Sequence, residues 1–96
     1  MSHYVILWSW SEQGIEKIKQ SPNRADHFKQ VCNNNGVKIN GIYYTFGQYD
    51  VVTIVEAPDD TILISTLLSL ETDGAAKSTT LKAFTYEEAK KIIESL

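Results

Sequence analysis

Two stretches of this sequence are apolar on both sides of a strand, and that limits the architecture more than any other feature. From Tyr49 to about Ala57, Tyr49, Val51, Thr53 and Val55 share one face, and Val52 and Ile54 the other. From His3 to about Trp10, Tyr4, Ile6, Trp8 and Trp10 oppose Val5 and Leu7. A sheet with helices on one side and water on the other alternates apolar with polar residues. These strands do not alternate, so both of their faces need a cover. An exposed apolar face of that size marks an interface.

The remaining pattern supplies one of the two covers. Ser9 or Ser11 caps a short helix marked by Ile15 and Ile18, with Glu12 placed for a capping box with Ser9. Ser21-Pro22 interrupts it, and a serine cap followed by proline at the first helical position restarts a second helical stretch. There Ala25, Phe28, Val31 and Cys32 form an apolar face. Asn33-Asn34-Asn35-Gly36 ends it, Gly36 in the left-handed conformation. A second strand is predicted from Val37 to Phe46, joined to the strand from Tyr49 by a two-residue hairpin at Gly47-Gln48. Pro58, Asp59 and Asp60 open a helix whose Ile62, Leu63, Ile64, Leu67, Leu68 and Leu70 cover a wide arc. Asp73-Gly74 turns into a fourth strand, Ala76 to Phe84. Thr85 and Glu88 then cap a last helix with Ala89, Ile92, Ile93 and Leu96 on a face expected to pack down.

The order is β-α-β-β-α-β plus a C-terminal helix. That is an α+β, ferredoxin-like arrangement, a four-stranded antiparallel sheet with both crossover helices on one side. A second copy packed sheet to sheet is the simplest cover for the other side, so a homodimer is expected.

At 96 residues the chain is expected to form a single domain, residues 1–96. The net charge of −3 and the lack of a basic run argue against nucleic acid as a partner. No apolar run approaches the length of a bilayer span, so no membrane association is expected. One cysteine, Cys32, permits no internal disulfide. With no basic leader before the first strand, these features predict a cytoplasmic protein.

Four segments carry a resemblance: Trp10-Ser11-Glu12-Gln13-Gly14-Ile15, Ser21-Pro22-Asn23-Arg24, Gly47-Gln48-Tyr49-Asp50 and Glu56-Ala57-Pro58-Asp59-Asp60. In that order they resemble the GYD domain family, small proteins of the dimeric α+β barrel superfamily. The resemblance implies a dimeric barrel and no settled activity. Superfamily relatives include cofactor-free monooxygenases of aromatic polyketides, haem enzymes, isomerases and effector-binding domains of leucine-responsive-type regulators. Gly47-Gln48-Tyr49-Asp50 is similar to a glycine-tyrosine-aspartate segment of those effector domains, although the DNA-binding helix-turn-helix is missing here. Fold alone does not choose among these functions.

The candidate ligand-binding residues are Trp10, Arg24, His27, Tyr44, Tyr49 and Asp50. Tyr49 and Asp50 point to opposite faces of a strand, so they do not form one catalytic pair. Either they edge a pocket between sheet and helices, or they serve a turn that Gly47 permits with positive φ. Tyr49 shares a face with Val51 and Val55, so its ring is expected to be largely buried. Trp8, Trp10, Tyr43, Tyr44 and Phe46 either line an apolar cleft or form the dimer interface. Arg24 either receives an anionic group or makes a surface ion pair with Asp26 or Glu12. His3 and His27 lie on different elements without ligand spacing, and Cys32 reads as core, so no metal site is expected. A haem would need an axial ligand, and His27 reads more simply as a solvated helix residue. No glycine-rich phosphate loop or nucleophile elbow is present, and no cofactor is expected. The favoured function is a small homodimeric module binding an aromatic or anionic ligand. The alternatives are a cofactor-free monooxygenase or isomerase, and a structural or partner-interaction protein without a ligand.

Overall fold

The computed structural model describes residues 1–96. Four strands, β1 (Ser2–Trp10), β2 (Lys38–Tyr44), β3 (Val51–Ala57) and β4 (Ala76–Ala83), form one antiparallel sheet in the order β2-β3-β1-β4. Between β1 and β2 lie α1 (Glu12–Glu16), a 3-10 turn (Ile18–Gln20) and α2 (Ser21–Asn34). α3 (Asp60–Glu71) connects β3 to β4, and α4 (Tyr86–Glu94) follows β4. This is the ferredoxin-like α+β fold that the element order predicts.

The two apolar strands occupy the centre of the sheet, where both edges of each are paired. Their inner face carries Tyr4, Ile6, Trp8, Thr53, Val55 and Ala57, all buried, against Phe28 and Cys32 of α2 and Leu63 and Leu67 of α3. Trp8 fixes this layer in two directions. Its ring meets Phe28 edge-on at 5.8 Å, and its indole N–H donates to Thr53 Oγ1 at 3.1 Å. At the far end Tyr4 donates to Asp60, which also holds Lys82 Nζ at 3.2 Å, tying β1, α3 and β4 together. Burial, and then the bond to Asp60, pushes the Tyr4 hydroxyl above its ordinary range. Cys32 is fully buried, and burial pushes its thiol up to about 12, which leaves it unreactive.

Local chemistry places the helix ends as expected except at α2, where Ser21 is not the cap: it is the first helical residue after Gln20, its hydroxyl bonds Tyr44 OH instead, and no side chain caps the helix. Ser11 caps α1 through Gly14 N–H, so Ser11 rather than Ser9 is the cap. Asp59 caps α3, and Thr85 with Glu88 forms a complete capping box on α4. Gly36 ends α2 at φ +72°.

Three further expectations are corrected. The β2–β3 connection is not a two-residue turn at Gly47-Gln48. The ladder stops at the pair Tyr44 and Val51, and Thr45–Asp50 forms a wider loop. The cause is Asp50. Its N–H donates to Trp8 O at 2.8 Å, and its C=O accepts from Thr45 N–H at 2.9 Å. Asp50 thus belongs to the end of β1 as much as to β3. Gly47 still has positive φ, +149°, inside that loop. The second correction is α1: Ile15 and Ile18 do not share a packed face, because the helix ends after Glu16 and both side chains are exposed. The third is α4, which buries none of its residues and leaves Ile92, Ile93 and Leu96 in solvent.

Candidate binding site

A cavity of about 100 Å³ lies between the inner face of the sheet and α2, at the end of β1 away from Tyr4. Its floor follows from strand register. Trp8 pairs with Val51, Ile42 with Thr53 and Tyr44 with Val51, so these side chains stand on one face. Trp10, two residues beyond Trp8, and its partner Ala76 on β4 extend that face. Its roof follows from helical spacing. Ser21, Arg24, Ala25 and Phe28 stand at i, i+3, i+4 and i+7 along α2, one stripe turned to the sheet. Leu70, Asp73 and Ala75 close the side.

The space narrows between bulky groups. Trp10 and Tyr44 tilt against each other at 6.2 Å between centroids. Tyr44 OH and Ser21 Oγ are 2.7 Å apart, a hydrogen bond that links β2 to the first turn of α2. Arg24 reaches back with Nη1, which donates to Lys17 O at 3.3 Å. Its Nη2 is buried and has no partner. The ion pair foreseen with Asp26 or Glu12 does not form; Asp26 pairs with Lys29 at 3.8 Å instead. Beyond Trp10 and Tyr44 the cavity continues into an open groove lined by Ile18, Pro22, Lys29, Ile39 and Phe46.

Of the six candidate residues, Trp10, Arg24, His27 and Tyr44 line the cavity together. Tyr49 and Asp50 do not. Asp50 Oδ2 accepts the Trp10 N–H at 2.9 Å, so its carboxylate is committed to the backbone. Tyr49 is half-buried, and its carbonyl accepts from Thr45 Oγ1 at 2.7 Å. The Gly47–Asp50 segment therefore acts on the site indirectly, by holding the ends of β1 and β3 in register. Ser21, Thr53 and Asp73 are lining residues that the candidate set lacks. The helical stripe through Arg24 and Phe28 carries the signal for Ser21. Asp73 reads in sequence only as a turn residue, and it does serve the turn, its Oδ1 accepting from Ala75 N–H at 2.9 Å.

No three His, Cys, Asp or Glu side chains gather as metal ligands, and no helix is long and apolar enough to cross a membrane.

The family model of the GYD domain matches residues 4–93. The glutamine synthetase and cystathionine beta-lyase binding protein of Thermus thermophilus is 30% identical over 84 residues, covering 86% of this chain and 88% of that protein. Among solved structures, the leucine response regulatory protein LrpA of Mycobacterium tuberculosis superposes with a TM-score of 0.59 at 15% identity. That match covers 88% of this chain and 53% of LrpA, and it speaks for the fold alone.

Proposed function

The chain belongs to the GYD domain family, and from that premise we propose that it is a small homodimeric binding module which holds a small molecule between sheet and helices. The observation that carries the proposal is the cavity itself. Four residues from three separate elements converge on it, and its walls are mostly apolar with a few polar tips. That composition is typical of ligand sites. The oxygenase or isomerase alternative asks for a proton acceptor against the ligand. Asp50 is engaged by the Trp10 amide and Asp73, in the lining, by the Ala75 amide, which leaves His27 as the imidazole at the site. The set Trp10, Arg24, His27 and Tyr44 is better suited to holding and orienting a ligand than to a paired acid–base step.

The test uses the protein's own fluorophores. Trp8 and Trp10 are its two tryptophans, and both line the cavity. Occupancy therefore changes intrinsic emission and raises the melting temperature together. A screen of small acids, amines and neutral ring compounds in which none does both would overturn the proposal.

A second reading is favoured by the Thermus relative, which by its name binds two enzymes. On that reading the domain acts as a protein-binding adaptor, and the ligand, if any, regulates the contact. Sedimentation of the purified protein with glutamine synthetase or cystathionine beta-lyase from its own source distinguishes the two. A stable complex supports the adaptor, and independent sedimentation with both enzymes removes it.

A further inference from the structure

The geometry points to a compact monocarboxylate as the ligand class of this cavity, its carboxylate paired with Arg24 and its apolar body against the tryptophans. The inference rests on the binding-module reading and deepens it.

Arg24 is the only arginine in the chain. It sits half-buried in the cavity wall, and none of the ion pairs in the structure includes it. A buried guanidinium with an unpartnered N–H is costly unless an anion completes it. Nη1 is anchored on the Lys17 carbonyl and Nη2 has no partner in the protein, so no acidic group of the chain neutralises the guanidinium at the cavity wall. Arginine is also the side chain whose fork best matches a planar carboxylate. A second feature has the same sign. Arg24 lies in the first turn of the 14-residue α2, and that helix start carries no side-chain cap. The Ser21 N–H is taken by Ile18 O and Pro22 has none, so it is the helix dipole that favours negative charge nearby.

Two observations narrow the anion. Asp73 lines the same cavity, so a dianion would meet a like charge there while a monoanion is balanced by Arg24. The volume is the other limit. A cavity of about 150 Å³ accommodates benzene, and this one has about 100 Å³ with an opening toward the outer groove. A short branched chain therefore fills it, and a single ring extends into the opening. The Ser21–Tyr44 hydroxyl pair at the wall supplies a donor and an acceptor, which would accept a hydroxyl or amino substituent on that body.

The experiment is a tryptophan-fluorescence titration, repeated by calorimetry, with benzoate and isovalerate as probes. Benzamide and isovaleramide serve as the respective neutral matches, and phthalate as the dianion. Benzoate or isovalerate is expected to bind at least tenfold tighter than its neutral match and than phthalate. Arg24→Met is expected to remove that preference, and Arg24→Lys to retain part of it. Equal binding of acid and neutral compound by the wild-type protein overturns the carboxylate inference while leaving the binding module standing. Binding by no compound, charged or neutral, overturns both. The wild-type comparison needs no variant to fold, so loss of fold in Arg24→Met leaves it decisive.

Discussion

Asp50 shows how a residue can be essential to a site without facing it. Its carboxylate accepts the Trp10 amide and its own amide donates to Trp8 O, so one residue finishes the hydrogen bonding of the β1 end that carries both tryptophans. Asp50→Ala leaves the Trp10 N–H without its acceptor and should cost about 1–2 kcal/mol in urea unfolding. Asp50→Asn keeps an oxygen in place and should cost less; equal stability of the alanine variant would refute the role. The glycines separate two other kinds of constraint. A Cβ on Gly14 would lie 2.1 Å from Ala75 O, and that oxygen is itself fixed by Ser11 N–H at 3.0 Å. Gly14→Ala should therefore destabilise by about 2–3 kcal/mol, the upper part of the usual overpacking range. A Cβ on Gly47 would meet nothing within 4 Å, so Gly47→Ala should cost only its φ of +149°, about 1 kcal/mol. Thermal and denaturant melts of the two variants should rank them in that order. Gly14 stands in sequence as an ordinary member of a short helix. Its constraint comes from Ala75, 61 positions away, and has no local signature.

At the scale of elements, what is decided by near neighbours was legible and what is decided by distant ones was not. The Thr85–Glu88 box, the Asp59 cap and the Gly36 helix end are all local, and the sequence pattern finds them. The stripe holding Arg24 and the strand alternation holding Trp10 and Tyr44 are periodic, so their convergence follows once the fold is known. The loop Thr45–Asp50 is different, because Asp50 bonds to β1, and no period within β2 or β3 announces that. Helix α4 lies between the two cases: its cap is local, but what its apolar face meets is not. In the protomer a contact between Glu88 Oε1 and His3 Nδ1, at 3.6 Å, joins it to the sheet. Hydrogen bonds with Thr85 hold the Glu88 carboxyl below its usual range, with His3 contributing, and the Asn40 amide does the same for Glu56, the other carboxylate on His3. A carboxyl depressed in the folded state contributes stability above its unfolded pKa, about 4.3, and loses it as pH falls through the lower folded value. Helix α4 should therefore loosen below about pH 4 ahead of the sheet. Glu88→Gln keeps the capping box without the charge and should remove most of that acid dependence. A ¹⁵N-resolved titration from pH 7 to 3 reads both. Simultaneous loss of α4 and sheet signals in wild type and variant alike would reject the assignment.

The chain forms a slab, 49 × 30 × 17 Å, with the crossover helices α2 and α3 packed on one side of the sheet. On the other side Val5, Ile54 and Leu81 stand in one register row, and Leu7, Val52 and Tyr43 in the next. Tyr43 lies flat over Gly41, where an added Cβ would sit 2.7 Å from its ring, and more than half of it remains exposed. Leu81 is exposed as well, and Phe84, Ile92 and Ile93 carry the apolar surface on into α4. A polar rim borders this face at one end, where Glu56 meets His3 at 3.3 Å and Lys38 at 4.0 Å. An apolar centre with a polar rim is the composition of an interface rather than of a solvated face. Closure by a second copy meets the requirement that the two-faced strands impose, and it puts α4 within reach of the same contact. The protein should therefore be a dimer at micromolar concentration by light scattering. Ile54→Lys, which sets a charge in the middle of the central row, should yield a monomer, since an unpaired buried charge is not tolerated. The cavity is on the opposite side of the sheet, between Trp10 and α2. A monomeric Ile54→Lys variant that keeps its fold should therefore retain the wild-type tryptophan response to ligand. A monomeric wild type would break the argument from the two-faced strands. An Ile54→Lys dimer would move the interface elsewhere, to α4 or to a sheet edge.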